Sequence, residues 1–597
     1  MTRIIRAFIQ IFNILPRRRK YQFLIILIAT LCMSVGETIV LGGIAFFASL
    51  ISDTEKVLNN EKLLYIIDLI DYEPLADPKN LIICVSILVV FLVASKNITK
   101  AIVGYLSIRF STIVEGLFAK ELLSGFLQMH YEWHLSQNSA DLILVTANWR
   151  NYIGRQFVSS VLLLSSDGSM VVIMLITLIV VQPLVSIIVI SILGTTSFLL
   201  LTSVRRKLDR VALEKRNYDQ TINEQSTKMI HGFKDVKISG KKDMFLNQYN
   251  KSLLHISWIE GTQRVIAGLP TWLLETMGFF MISFSICFML FFLGHSVAMV
   301  SGTITLLAVT AWRVLPALNR ILGQITKLRN IAPYVEKMLG YYSEIQLNQQ
   351  RNMENNAYNT SKSIVFKAQI HLKDISFTYH NANQFALKNI HMTIKKGSII
   401  GIIGHSGAGK STLVDILSGM LHPTYGKVFV DDIELNSEAL RQLWTTKLGY
   451  VPQTPYIFDG TVAENIAFEI DQKRIDKNRV LQCCQMAAMN DFLNDLPSGI
   501  NSYIGERGVR LSGGQRQRIS IARTLYQEPE LIIFDEATSS LDNMNEKIIQ
   551  NTIYSLRGKQ TVVIIAHRLT TVESCDIIFE LEKGTLKNMG TPQEILK

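Results

Sequence analysis

Long apolar stretches fill the first half of the chain and constrain its fold more than any other feature. Six of them reach the length of about 20 residues that a helix needs to cross the hydrocarbon core of a bilayer. They run approximately over residues 21–50, 81–104, 157–181, 184–204, 267–293 and 303–325. Only 18% of the 597 residues are charged, whereas soluble domains carry about 25%. The pattern predicts an α-helical polytopic membrane domain with six transmembrane helices.

The distribution of lysine and arginine predicts the orientation of these helices. Segment 205–264 carries 13 basic residues, and six more lie within residues 3–20. Segment 51–79 instead has three lysines and seven acidic residues. Because cytosolic loops are rich in basic residues, we expect both termini and the whole second half in the cytosol. This orientation accounts for much of the net charge of +11, so we predict no nucleic-acid partner.

Composition changes sharply near residue 345 and divides the chain. We assign residues 1–345 to the transmembrane domain with its long cytosolic helical extensions. The polar stretch 346–363, rich in Asn and Gln, is predicted to be a linker. Residues 364–597 have the composition of a soluble domain.

A phosphate-binding pattern opens this second part. The segment Gly404-His-Ser-Gly-Ala-Gly-Lys-Ser411 fits G-x4-G-K-[ST], between an apolar strand-like run and a helical run. Its backbone N–H groups would face phosphates at a positive helix end. Lys410 is predicted to reach the β- and γ-phosphates of ATP, and Ser411 to ligate Mg²⁺. The predicted ATP-binding residues here are Gly404, Ser406, Gly407, Gly409, Lys410, Ser411 and Thr412.

Two further motifs complete a phosphoryl-transfer site. The apolar run Leu531-Ile-Ile-Phe ends in Asp535, predicted to hold Mg²⁺, and Glu536, predicted to polarise the attacking water. Upstream, Leu511-Ser-Gly-Gly-Gln515 would precede a helix starting near Arg516 and form a second anion-binding helix N-terminus. One nucleotide does not easily occupy both ends within one domain. The economical solution is a dimer that traps each nucleotide between two chains.

These motifs, in this order, resemble the nucleotide-binding domain of ABC transporters, an α/β P-loop fold whose signature is Leu-Ser-Gly-Gly-Gln. The resemblance implies that Tyr379 stacks on adenine, that Gln453 senses Mg²⁺ and water, and that His567 contacts the γ-phosphate. It assigns catalysis to Glu536, His567 and Gln453, and metal binding to Ser411, Gln453 and Asp535. It assigns contact with the ATP of the partner site to Ser512, Gly514, Gln515 and Asp542.

Six spans followed by one such domain resemble an exporter half-transporter, which implies a dimer, most simply a homodimer. The long cytosolic connections 105–156 and 205–266 are predicted to turn near residues 134–141 and 232–240. Each turn would dock on an ATPase domain near Gln453, so that closure of the ATPase dimer around ATP moves the spans.

Charged residues inside spans suggest the cargo, because they are costly in a bilayer. Arg313 and Arg320, seven residues apart on one helix face, suit an anionic head group such as a pyrophosphate. Internal salt bridges with acidic residues of other spans are an equal alternative. Strings beginning at His130, Gly232 and Arg313 resemble bacterial flippases of lipid-linked oligosaccharides. That resemblance implies a bacterial inner membrane protein, a polyprenyl-pyrophosphate glycan as cargo, and a tail-contacting outer helix at residues 63–70.

Other functions fit parts of the same pattern. A multidrug or peptide exporter would share the whole architecture. An ATP-gated membrane protein that transports nothing would tolerate the loss of hydrolysis. A soluble, nucleic-acid-associated ABC ATPase would lack the apolar spans.

Overall fold

A computed structural model describes residues 2–52, 77–181, 183–291, 297–356, 364–380, 382–505, 508–509, 511–537, 543–566 and 568–596. The chain divides into two compact units. The first comprises Met1–Gln128 and Gln137–Ile345, and the second comprises Met129–Ser136 and Gln346–Lys597.

Helices make up nearly all of the described part of the first unit. They are α1 (Thr2–Ile14), α2 (Arg17–Ser52), α3 (Pro78–Gln128), α4 (Tyr131–Ser136, which belongs to the second unit), α5 (Ser139–Ile143), α6 (Ser159–Val181), α7 (Pro183–His231), α8 (Phe233–Ile238), α9 (Lys242–Phe291) and α10 (Val297–Asn356). Two π-helical stretches, Leu144–Asn148 and Tyr152–Val158, connect α5 to α6. The first part of the stretch predicted as a linker, up to Asn356, is helical.

Four of the predicted spans, 21–50, 81–104, 184–204 and 303–325, fall within α2, α3, α7 and α10. The span 157–181 begins in the second π-helical stretch and continues as α6. The span 267–293 lies on α9 up to Phe291, and its last two residues are outside the described part of the chain. Among the described residues, three helical segments are long and apolar enough to cross a membrane, namely Arg17–Ile44, Lys79–Gln128 and Tyr152–Thr177. The other predicted spans lie on α7, α9 and α10, whose side chains are described only in part. The short helices α4 and α5 follow the long helix α3, and the short helix α8 separates α7 from α9. These are the two places where cytosolic turns were predicted. The predicted outer helix at 63–70 lies outside the described residues.

A seam between α6 and α10 joins two distant parts of the helical unit. Met170, Val171 and Met174 of α6 form a buried cluster with Val314 and Ala317 of α10. The residues on each helix recur at three or four positions, so they share one face. Burial of this seam fixes which residues of the two helices meet.

The second unit combines two sheets with helices. Its strands are β1 (Gln369–Phe377), β2 (Leu387–Lys395), β3 (Ile399–Gly404), β4 (Tyr425–Val430), β5 (Ile433–Glu434), β6 (Leu448–Val451), β7 (Leu531–Asp535), β8 (Thr561–Ile565), β9 (Ile577–Glu582) and β10 (Thr585–Gly590). Its helices are α11 (Lys410–Leu417), α12 (Glu438–Thr445), α13 (Val462–Ala467), α14 (Lys477–Met486), α15 (Asn490–Asn494), α16 (Gly513–Tyr526), α17 (Asn543–Tyr554) and α18 (Pro592–Ile595).

Strand order explains where the phosphate site lies. The antiparallel sheet runs β2-β1-β4-β5, and the larger sheet runs β10-β9-β3-β8-β7-β6. Strands β3, β6, β7, β8 and β9 of the larger sheet pair in parallel. Alternate residues of β7 point into two hydrophobic cores, with Ile532 and Phe534 in one and Leu531 and Ile533 in the other. A parallel sheet covered on both faces presents its carboxyl edge to a ligand, and β3 and β7 end at that edge.

Candidate functional site

The P-loop joins β3 to α11 in a conformation that only glycine adopts without strain. Gly404 has φ +151°, and a Cβ there would lie 2.3 Å from the carbonyl oxygen of Leu581. Gly409, the residue before α11, has φ +100°. Glycine lets the backbone turn sharply and approach its neighbours closely. The loop therefore presents backbone groups where phosphates would bind.

Lys410 lies at the first turn of α11 with only 7% of its surface exposed. Its Nζ donates to the carbonyl oxygens of Gly404 at 2.8 Å and His405 at 3.0 Å. Burial lowers the pKa of Lys410, while the charges of Glu536 and Asp535 raise it. The predicted phosphate-binding lysine thus lies close enough to Glu536 and Asp535 for their charges to act on it.

The two carboxylates stand at the end of β7, separated from β3 by β8 alone. Glu536 has a positive φ of 51°, a conformation unusual for a non-glycine residue and typical of functional sites. Its Oε2 accepts a hydrogen bond from Gln453 Nε2 at 2.6 Å. The structure therefore brings two of the three predicted catalytic residues into contact, although they lie 83 positions apart.

Tyr450 was not identified from the sequence. Its hydroxyl donates to Asp535 Oδ2 at 2.7 Å, and burial together with this bond raises the pKa of Tyr450. Tyr450 stands three residues before Gln453, on β6, which pairs with β7. The register of β6 against β7 places Tyr450 at Asp535. No local sequence pattern indicates this contact.

Asp415 is a second residue that sequence reasoning missed. Burial and the nearby charge of Asp535 raise the pKa of Asp415 to about 6. Asp415 follows Ser411 by one helical turn, so both lie on one face of α11. That spacing was the available signal for a carboxylate beside the P-loop.

The donor set at this edge fits Mg²⁺. Ser411, Gln453 and Asp535 offer hydroxyl, amide and carboxylate oxygens, which are the hard ligands that this cation takes. Among the described residues, no group of three or more His, Cys, Asp or Glu side chains could hold a metal by itself. Mg²⁺ is commonly bound through one or two protein ligands together with nucleotide phosphates and water.

Tyr379 lies beside the start of the P-loop helix. Its hydroxyl is 3.0 Å from Thr412 Oγ1, and its ring packs edge-on against Phe377 with the centroids 4.9 Å apart. Two residues of the predicted ATP site, distant in sequence, therefore meet. Stacking of Tyr379 on adenine stays a prediction.

The signature segment starts α16 at Gly513, three residues before the predicted start near Arg516. Ser512 is the N-cap: its hydroxyl accepts from Gln515 N at 3.2 Å, and Gln515 Oε1 accepts from Ser512 N at 2.8 Å. This capping box makes the segment part of the helix. Gly514 lies in its first turn, where helix N–H groups have no helical partner.

Other predicted residues are placed only in part. Asp542 and His567 lie outside the described residues. Arg313 lies on α10, but its side chain is not described. Arg320 binds Asp167 of α6, with Nη2 at 2.8 Å from Oδ1 and Nε at 3.1 Å from both oxygens.

Comparisons with known proteins agree with this geometry. Residues 387–539 match the family model described as ABC transporter, so the second unit contains an ABC transporter ATPase domain. A solved structure described as a bacterial Atm1-family ABC exporter with ATP bound aligns with a TM-score of 0.73 at 19% identity, covering 98% of this chain and 96% of that one. The chain therefore has the fold of an ABC exporter: a helical unit with apolar helices and an α/β ATPase domain.

Two relatives from bacteria carry the same name, ATP-dependent lipid A-core flippase. The protein of Coxiella burnetii is 40% identical over 230 residues, which is 38% of this chain and 39% of that protein. The protein of Bordetella avium is 33% identical over 296 residues, which is 50% of this chain and 49% of that protein. The chain thus matches less than half the length of each of these curated relatives.

Proposed function

We propose that the chain is a membrane transport ATPase that hydrolyses ATP in its second unit and moves a substrate across a membrane. The contact of Gln453 with Glu536 at 2.6 Å, beside the P-loop, supports this most directly. A carboxylate oriented in this way is suited to polarise water for attack on a γ-phosphate. The long apolar helices of the same chain supply the membrane part.

The proposal assigns residues to phosphate binding, to Mg²⁺ binding and to the activation of water. Lys410 neutralises phosphate charge, Ser411 and Asp535 hold Mg²⁺ with Gln453, and Glu536 orients the attacking water. His567, two residues after the end of β8 in the sequence, would contact the γ-phosphate. Bound Mg²⁺ would supply charge stabilisation for the transferred phosphoryl group.

We further propose that two copies of the chain act together as a homodimer. Ser512 is exposed at the N-terminus of α16, where helix N–H groups and the positive end of the helix dipole favour an anion. Ser512, Gly514, Gln515 and Asp542 would contact the ATP held by the second copy.

For the cargo, we propose a polyprenyl-pyrophosphate-linked glycan flipped to the outer leaflet of a bacterial inner membrane. Two relatives are named ATP-dependent lipid A-core flippase, which supports a lipid cargo. Arg320 keeps 48% of its side chain exposed while it binds Asp167, which supports a role in holding a phosphate. Arg313, seven residues and so about two helical turns earlier on α10, would add a second cation.

An exporter of drugs or peptides is the second candidate, and the same ion pair favours it. Asp167 neutralises Arg320 within the helical unit, which leaves less net positive charge for an anionic head group. In that case Arg320 is structural, and the cargo is an uncharged or cationic amphipathic molecule.

The test is reconstitution of the full chain in liposomes with ATP and a panel of fluorescent lipid-linked glycans, peptides and drugs. Glu536→Gln should lower ATP turnover and transport about a hundredfold or more while ATP still binds. Glu573→Gln, an exposed change elsewhere on the same unit, is the matched control. Full transport by Glu536→Gln would contradict a hydrolysis-driven cycle and favour an ATP-gated protein.

Changing both Arg313 and Arg320 in the same assay tests the identity of the cargo. Arg313→Ala with Arg320→Ala should abolish transport of the pyrophosphate-linked glycan while basal ATP turnover stays within about twofold. If glycan transport survives and peptides or drugs are carried, the glycolipid proposal is wrong and the exporter candidate stands.

A further inference from the structure

A short cytosolic segment from the membrane half packs within the ATPase unit. Glu132 of α4 accepts a hydrogen bond through Oε1 from the backbone N–H of His380 at 3.2 Å, across 248 positions of sequence. His380 directly follows Tyr379, the residue assigned to adenine. The carboxylate of Glu132 therefore binds the backbone directly after Tyr379.

A second contact anchors the same segment away from the nucleotide. His130 Nδ1 lies 3.2 Å from Glu438 Oε2 in the first turn of α12, and Arg441 Nη2 binds the same oxygen at 2.8 Å. His130, and then Arg441, hold the pKa of Glu438 down at about 2 against the effect of burial. Glu438 thus remains a charged anchor point throughout the physiological pH range.

Tyr131, between these two anchors, lies next to the nucleotide-binding elements. Burial raises its pKa, and the proximity of Asp415 and Tyr379 adds to the effect. Three consecutive side chains of the segment thus approach α12, α11 and the backbone at His380. The hydroxyl of Tyr379 itself lies 3.0 Å from Thr412 Oγ1 of α11.

We propose that Glu132 is a positioning residue for adenine binding by Tyr379. Its carboxylate fixes the backbone after Tyr379, while Thr412 fixes the hydroxyl end of the ring. The cytosolic segment thereby sets ATP affinity directly, through the base end of the nucleotide. This inference rests on the proposed function, because it assumes that the second unit binds ATP.

The experiment measures the Kd of a fluorescent ATP analogue, and KM and kcat for ATP, on the full chain in lipid. Glu132→Ala should raise Kd and KM about fivefold, the effect of one net hydrogen bond, with kcat changed less than about twofold. Glu132→Gln should behave as wild type, because an amide oxygen also accepts from an N–H. Glu121→Ala, at an exposed glutamate of α3, is the matched control.

A double-variant comparison separates positioning from a general loss of structure. In a Tyr379→Ala background, Glu132→Ala should have no further effect on Kd, because the residue it positions is gone. His130→Ala, which removes the anchor and keeps Glu132, should raise Kd by a smaller factor. The inference is overturned if Glu132→Ala leaves Kd unchanged, or if its effect persists in the Tyr379→Ala background. If the wild-type chain itself binds no ATP, the proposed function fails instead.

Discussion

The ion pair between Arg320 and Asp167 gives an asymmetric prediction about stability. The Asp167 side chain is 12% exposed, whereas the Arg320 side chain is 48% exposed. Removing one partner of a buried pair is costly chiefly because it leaves the other charge buried without compensation. Arg320→Ala leaves the buried carboxylate alone, whereas Asp167→Asn leaves a half-exposed guanidinium. Arg320→Ala should therefore be the more damaging change.

The magnitudes follow from the geometry. Two unit charges about 4 Å apart interact by about 4 kcal/mol at an effective dielectric constant of about 20, and the exposure of Arg320 reduces the net effect. We expect Arg320→Ala to cost about 2–4 kcal/mol and Asp167→Asn about 1–2 kcal/mol. The double variant Arg320→Ala with Asp167→Asn should cost less than the sum, because neither variant residue then leaves the other charge of this pair uncompensated.

The assay is thermal unfolding of the lipid-reconstituted, nucleotide-free chain, followed by the loss of monodisperse protein on heating. Arg264→Ala, at an exposed arginine of α9, is the control and should change stability by less than about 0.5 kcal/mol. Equal effects of the two single variants, or strictly additive effects in the double variant, would refute the reasoning.

Three further predictions concern the nucleotide site. Gly404→Ala should abolish ATP binding in an equilibrium assay, because its Cβ would lie 2.3 Å from Leu581 O; wild-type affinity would contradict the close packing. Tyr450→Phe removes the donor that orients Asp535 and should raise the Mg²⁺ concentration for half-maximal ATP turnover about three- to fivefold; an unchanged Mg²⁺ titration would show that the bond does not matter. The pKa of Asp415 is raised from 3.8 to about 6 in the folded state. Ionisation of Asp415 therefore lowers the free energy of unfolding, and this loss develops as the pH rises from about 4 to 6. Asp415→Asn should therefore stabilise the Mg²⁺-free chain by about 1–2 kcal/mol above pH 6 and have little effect near pH 4; a constant difference across that range would disprove the assignment.

Local sequence patterns determined the kinds of element and much of their chemistry. The long apolar stretches predicted helices because length and composition suffice for that inference. The order strand, glycine-rich loop and helix predicted the P-loop, since glycine at Gly404 and Gly409 permits a turn that other residues resist. The two carboxylates after residues 531–534 indicated Asp535 and Glu536 as site residues, because phosphoryl transfer needs a metal-binding group and an oriented water.

Tertiary structure alone decided which distant side chains meet. The β6–β7 register puts Tyr450 on Asp535, and the α6–α10 seam puts Asp167 on Arg320. Packing of α4 within the ATPase unit puts Glu132 at the backbone N–H of His380, next to Tyr379. Helical and strand periods specify a face within one element, but they carry no information on which face of another element it meets. That choice depends on the register and burial of the whole fold.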